Sequence, residues 1–358
     1  MTQSDLSQQS NYEIASSYFD VKNIADYLIV QTTVNNTDWP NNNIKYWREK
    51  KPDAKWRYIL FDMDVGMGRH GWTQAPFDSF GGLLTPTSEN PFVKIVMSLL
   101  ENQEFRHYLI NRYADLLNTI FTENNWKEET DKTVAEIDEE MKLHFLKWTW
   151  PGYDVWQEDR LVRMYKFIAE RRTYARGYVQ DYFNLENEVL LELQTYPENA
   201  GKIQINTITP DVLPWDGYYY NGVPVELTII SNNGFTFSHW QSLNTILEKD
   251  ENQNISYNFE KDDQITAFFE VSNPQSEIEV YPTQFQNLIN VDLILHEISD
   301  VEVQLFDSLG RLIGEAPKEK RGGGRQFISL TTNDLASGFY LLQIKINDEY
   351  FTRKVMRH

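Results

Sequence analysis

The spacing of apolar and polar positions changes character along the chain. Between residues 15 and 34, Tyr18, Ile24, Leu28 and Val30 recur at helical intervals and predict a helix ending before Asn35. The stretch KWRYILFDMDVGMG then predicts a short buried strand, Tyr58 to Phe61, running into an acidic, glycine-bearing turn. Asn90-Pro91 reads as a helix start, a capping residue followed by proline at the first helical position. In the helix that follows from ENQEF, the residues Phe105, Leu109, Tyr113, Leu116, Leu117 and Ile120 form one apolar face. Two more helices are expected around KEETDKTVAEIDEEMKLHF and DRLVRMYKFIAERRTYARGYVQDYF.

Near Tyr196-Pro197 the period drops to two. KIQINTI, VPVELTII, FTFSHW, ISYNF and QITAFFEV alternate apolar and polar residues, with Gly, Asn and Pro between them. A linker is expected at SNPQSE, residues 272–277, and beyond it NLINVDLIL, DVEVQLFD, GGRQFISL, GFYLLQIKI and EYFTRKVM are spaced as the strands of a β-sandwich. The pattern predicts three units: a helical one at 1–195, a small β module at 196–272 and a C-terminal β-sandwich at 278–358.

Composition narrows the functions open to these units. The 358 residues are 41% hydrophobic and 14% aromatic, enough for packed cores. A formal net charge of -20 repels phosphate and argues against non-specific nucleic-acid binding. No cysteine is present, which excludes disulfides, thiolate catalysis and cysteine-ligated zinc. No apolar stretch approaches the ~20 residues needed to span a bilayer, and MTQSDLSQQSNYEIASSYFD has no charged segment followed by an apolar one, so no signal peptide is visible.

Candidate chemistry concentrates in TDWPNNN and FDMDVGMG. Asp38 is followed five positions later by Asn43, and Asp62 and Asp64 lie on the turn downstream. Phosphoryl transfer needs this inventory: one carboxylate to accept or orient the attacking hydroxyl's proton, and an amide oxygen and a second carboxylate to hold a metal against the phosphates. Protein kinases separate the first carboxylate and the amide by the same five positions. Gly66 and Gly68 would supply the flexibility of the turn. The same residues also fit a plainer description, in which Asp38 caps a turn and the asparagines satisfy backbone groups.

The ordered motifs resemble the CotH kinase family, named for a bacterial spore-coat protein. Asp20, Asn23 and Asp26-Tyr27 match its opening D-x-x-N-x-x-D-Y pattern, followed by a D-W-P-x-N-N loop and a W-x-Y-x-x-x-D-x-D strand. NPFVKIVMSLLENQEFRHYLINRYADLLNTIF is similar to the family's helical lobe, and the resemblance spans roughly residues 10–185. It implies a mainly α (α+β) kinase-like C-lobe that transfers phosphate from ATP to protein, using a divalent metal: magnesium, or manganese or calcium in its place. Asp38 matches the catalytic aspartate. Asn43, with Asn42 as the alternative, matches the metal-binding amide, and Asp62, with Asp64 beside it, the metal aspartate. The family's ATP-clamping lysine, its acidic partner and the phosphate-covering loop lie upstream of these motifs. Here about 37 residues precede Asp38, and Lys22 in the helical segment is their only lysine. The resemblance therefore implies the C-terminal portion of a longer protein. The alternative is a non-catalytic surface adhesion protein on a degenerate kinase scaffold.

Other clusters are less specific. Trp148, Trp150, Tyr153 and Trp156 could stack on a sugar or peptide, or pack as a loop on the core. The basic run Arg160, Arg163, Arg171, Arg172 and Arg176 reads as a solvated helix face with acidic neighbours. The six histidines form no HxH or HxxxH pair.

Residues 197–271 resemble a divergent bacterial β-repeat of surface proteins, a spacer or adhesive module with Phe235, Phe237 and Trp240 on one face. Residues 278–358 resemble the sorting domain read by the type IX secretion system of Bacteroidota. The matching marks are Val280–Pro282, Asp307 with Gly310 and Arg311, Leu335 with Gly338 and Tyr340, and the terminal strand YFTRKVM. That resemblance implies export across the outer membrane and the secretion machinery as a partner.

Overall fold

In a computed structural model the described residues are 4–244, 250–271, 278–295, 298–333 and 335–358. The expected linker at 272–277 lies outside them. The chain forms two compact units, one of Met1–Asn232 with Phe237–Glu270, the other of Asn233–Thr236 with Val271–His358.

In the first unit, α1 (Gln9–Tyr18) leads into α2 (Val21–Thr33), which begins where the Asp20 carboxylate accepts the Asn23 backbone N–H. Two short strands, β1 (Lys45–Trp47) and β2 (Arg57–Ile59), pair antiparallel. The strand expected at Tyr58–Phe61 is therefore shorter, and it is not buried: Tyr58 is half-buried and Phe61 exposed. With only one partner strand and a helix on one side, the pair has no second layer to cover it. α3 (Pro91–Leu99) starts at Asn90 as expected, its side chain accepting from the N–H groups of Phe92 and Val93.

α4 (Gln103–Asn118) buries Phe105, Leu109, Tyr113, Leu116 and Leu117, whereas Ile120 falls past its end and is exposed. α5 (Glu123–Lys147) has no buried residue and carries its own Lys–acid pairs, such as Lys127 with Asp131. A short α6 (Tyr153–Val155) and a π-helical stretch (Trp156–Leu161) lead into α7 (Val162–Phe183). α2, α4 and α7 pack on one another around Ile24, Leu28, Leu109, Tyr113, Phe167 and Val179.

The strands begin earlier than the period change near Tyr196. β3 (Glu188–Tyr196) lies inside a four-stranded sheet of order β5-β3-β9-β7, with β5 (Trp215–Tyr220), β7 (Phe235–Ser242) and β9 (Asp263–Val271). β3 pairs parallel with β9. β4 (Gly201–Ile205), β6 (Val225–Ser231) and β8 (Asn254–Tyr257) form a second, three-stranded sheet. Phe237 and Trp240 are buried, and Phe235 is half-buried.

In the second unit, β10 (Ile278–Tyr281), β12 (Leu288–Leu295) and β15 (Gly324–Thr331) make one sheet. β11 (Gln284–Phe285), β17 (Glu349–Arg357), β16 (Gly338–Ile346), β13 (Ser299–Phe306) and β14 (Leu312–Arg321) make the other, in that order. Alternate residues of both sheets, among them Ile289, Val291, Leu293, Val303, Leu305, Leu342 and Ile344, share one core, the expected sandwich. The chain is thus α+β, with helices followed by β sheets.

Candidate active site

The loop after α2 is fixed by the residue next to its aspartate. Trp39 is buried, its ring edge-on to Tyr27 at 5.6 Å and to Phe92 at 5.1 Å. Tyr27 in turn stacks on Tyr58 of β2 at 5.1 Å. The loop carbonyl of Pro40 accepts from Asn90 Nδ2 at 3.0 Å, which ties it to the start of α3. Asn36 is also buried and donates to Gln31 Oε1 at 2.9 Å.

Asp38 is half-buried, and its two carboxylate oxygens accept separate amide donors. Asn42 Nδ2 reaches Oδ1 at 2.7 Å and Asn43 Nδ2 reaches Oδ2 at 2.9 Å. These bonds hold the carboxylate plane and favour its ionised form, while each oxygen keeps a further lone pair. Asn43, at a positive φ of 58°, also approaches the Asp62 carbonyl, at 3.5 Å. With Nδ2 so engaged, the Asn43 Oδ1 has no hydrogen-bond partner among the described residues.

The acidic turn comes to this loop through β2 and through its own backbone. Asn23 of α2 exchanges two hydrogen bonds with the backbone of Tyr58, at 2.6 and 3.2 Å, and acts as a strand partner made from a side chain. Asp20 binds Arg57 at 2.8 Å and Asp26 binds Arg112 at 2.7 Å. The residues of the opening motif thus brace the turn rather than react. Beyond β2, Thr37 N donates to the Val65 carbonyl at 3.0 Å and Met67 N to the Val34 carbonyl at 2.8 Å. Gly66 is required by this approach, since a Cβ there would stand 2.7 Å from the Val34 carbonyl oxygen. Gly68 sits at φ +78° against the Arg163 carbonyl of α7. The two glycines serve close packing, not the flexibility expected of them.

The predicted residues Asp38, Asn42, Asn43 and Asp62 are thereby brought together, with Asp64 beside them. The Asp62 carboxyl is exposed, and its pKa lies above the ordinary value. Partial loss of hydration is the largest cause, followed by the neighbouring Asp64 and Asp38 carboxylates, against which Lys45 acts as the opposing cation. Asp64 is already paired, to Arg69. Asp62 is the carboxylate without such a partner and the better candidate to meet a cation.

The donors at this turn are all oxygens, the set suited to magnesium, manganese or calcium. Among the described residues no three acidic or histidine side chains converge as a cage. Such an open site fits a cation that keeps waters and phosphate oxygens in its shell, as magnesium does.

Sequence reasoning missed several residues. Lys45 lies over the Phe61 ring at 3.3 Å, beside Asp62, whereas Lys22 sits over Tyr108 and lines a cavity against Gln204 and Glu226. Arg171, expected on a solvated face, is fully buried. Its guanidinium donates to the carbonyls of Thr32, Thr33, Ala75 and Phe77 and to Ser79 Oγ, at 2.6–2.9 Å. Arg176 is also buried, paired with Glu188 at 2.9 Å. No sequence signal separates these two from their exposed neighbours Arg160 and Arg163, since helical spacing alone does not reveal which loop covers a face.

Comparison with known proteins places two families on the chain. Residues 2–175 match the family described as CotH kinase protein, and residues 279–357 match the secretion system C-terminal sorting domain. A search of curated proteins finds no match. Among solved structures, a DUF3823 family protein from Parabacteroides merdae is 9% identical at TM-score 0.18, covering 48% of this chain and 98% of its own. A β-glycosidase from Bacteroides vulgatus is 8% identical at TM-score 0.20, covering 51% of this chain and 26% of its own. At these scores neither likeness carries an argument. No helix among the described residues is long and apolar enough to cross a membrane. The chain carries a CotH kinase domain at residues 2–175 and, at residues 279–357, a type IX secretion C-terminal sorting domain that directs it to the cell surface or the medium through the secretion machinery.

Proposed function

We propose that this exported protein is a CotH-type protein kinase, transferring the terminal phosphoryl group of ATP to a protein hydroxyl. In this reading residues 1–195 act as a kinase C-lobe, 196–272 as a divergent β-repeat and 278–358 as the sorting sandwich read by the export machinery. The carrying observation is the Asp38 carboxylate, clamped by Asn42 and Asn43 from its own loop and facing the Asp62 turn through Asn43. Asp38 would orient the acceptor hydroxyl and take up its proton on a free lone pair. Asn43 Oδ1 and the Asp62 carboxylate, with Asp64 next to them, would hold the divalent cation. Bound ATP and cation supply the transferred group and the charge neutralisation. Lys45 is the nearest cation for a phosphate oxygen, beside Asp62.

A binding protein on the same scaffold is the competing reading, and the pairing of Asp64 with Arg69 favours it, because that carboxylate is already neutralised. Label transfer from ATP by the full chain, with and without magnesium, separates the two. The kinase reading expects cation-dependent transfer that Asp62→Ala abolishes. Transfer that survives Asp62→Ala, or none in the wild-type chain with ATP and magnesium, rules it out.

A further inference from the structure

A cavity of about 500 Å³ opens directly beside the acidic turn and shares Asp64 and Gly66 with it. One wall is apolar and adaptable, formed by Met63, Met67, Met164, Trp150 and Trp156. Methionine has no branched carbon and re-packs around differently shaped partners, the property of surfaces that accept varied peptides. Trp150 is 81% exposed and Trp148 58% exposed, and Leu143 and Leu146 on α5 are exposed too. A folded chain leaves aromatic surface of this kind in water only rarely without a partner.

The floor is rigid. Arg160, in the π-helical stretch, donates to the Arg69 carbonyl at 3.2 Å and joins the helix to the turn that follows Asp64. Single π turns recur at functional sites because they re-aim side chains out of helical register. The lining carries Arg69, Arg160 and His70 against one carboxylate, Asp64, in a chain of net charge -20. An acidic segment is therefore complementary to this mouth and to little else on the surface.

We propose that the cavity is the acceptor-protein anchor. It seats a bulky apolar side chain of the substrate on Trp150 and the three methionines, while an adjacent substrate carboxylate pairs with Arg160. The acceptor hydroxyl then lies beside the Asp62–Asp64 turn. This rests on the phosphoryl-transfer reading of Asp38 and Asp62. It assigns the kinase a substrate class: segments with an aromatic or large aliphatic residue and an acidic residue flanking the phosphorylated one.

The test uses the full chain and short fluorescein-labelled peptides with a central serine. In one set phenylalanine and glutamate are scanned around the serine; in the other alanine and lysine replace them. Fluorescence anisotropy measures binding, and label transfer from ATP measures phosphorylation. Binding tighter by about ten-fold or more is expected for the first set, and it is expected to be lost in Trp150→Ala and reversed toward lysine peptides in Arg160→Glu. Thermal melts confirm that both variants fold. Asp38→Asn is expected to abolish transfer and leave binding unchanged. If the chain transfers phosphate through Asp38 but both sets bind and react equally, or Trp150→Ala leaves the preference intact, the anchor is overturned and the kinase reading stands. If the preferred peptides bind through Trp150 but receive no phosphate, the kinase reading falls, and with it the role of acceptor anchor.

Discussion

Asp115 gives a quantitative prediction. It lies on α4 and is fully buried against the β strands, where its carboxylate accepts from Thr207 N at 2.9 Å, Thr207 Oγ1 at 2.6 Å, Tyr219 OH at 2.8 Å and Asn206 Nδ2 at 3.4 Å. Burial raises its pKa to about 6, outweighing the four hydrogen bonds that lower it. The folded form therefore binds this proton more tightly than the unfolded chain, whose value is near 3.8. The stabilisation is complete below the unfolded value and is lost as pH rises through about 6. Two pKa units correspond to about 3 kcal/mol. Asp115→Asn removes the titration while keeping the shape. Its stability relative to wild type should rise by about 3 kcal/mol between pH 4 and pH 7, roughly 6–12 °C in Tm for a unit of this size. All ten tryptophans, from Trp39 to Trp240, precede residue 271, so tryptophan fluorescence in urea follows this part of the chain and not the C-terminal sandwich. Parallel pH profiles for the two proteins would refute the reasoning.

Further outcomes follow from the packing of the site. Gly66→Ala drives a methyl group onto the Val34 carbonyl and should displace the acidic turn, lowering cation affinity and stability together; calorimetric titration with manganese and a thermal melt measure both. Trp39→Ala empties the aromatic cluster beside Asp38 and should cost about 3–5 kcal/mol by urea unfolding. Arg171→Lys keeps the charge but cannot reach all five acceptors, and should cost about 3 kcal/mol or more. Because Asp62 holds its proton above the ordinary carboxylate range, manganese binding should weaken on acidification before an ordinary carboxylate would protonate. Asp64→Asn, which removes one cause of that shift, should move the acidic limb to lower pH.

The sequence made the elements with strong periodicity legible: α2 to Thr33, α3 from its Asn90-Pro91 cap, the face of α4, and the alternating strands of the sandwich. It also made the candidate site legible, since Asp38, Asn43 and Asp62 carry the spacing of a phosphoryl-transfer loop and turn. What it hid depends on contacts distant along the chain. The strand at Tyr58 reads as buried because its residues are apolar, yet only one neighbour pairs with it. Arg171 reads as solvated because its helix is basic, yet the backbone of residues 75–79 folds over it. Gly66 reads as a hinge, but the end of α2 lies against it and leaves no room for a side chain. Asn23 and Asp20 read as motif residues without a task, and their task is to pair with the strand that delivers Asp62.

The central claim is that the Asp38 loop and the Asp62 turn act as one phosphoryl-transfer site. The most direct test is the initial rate of magnesium-dependent label transfer from ATP to protein by the full chain and by Asp38→Asn, at nucleotide concentrations where both are saturated. The substitution leaves Trp39 and the loop anchors in place and removes only the proton acceptor. The account predicts a loss of about a hundred-fold or more in rate with nucleotide binding retained. An Asp38→Asn protein that transfers phosphate at the wild-type rate would contradict it.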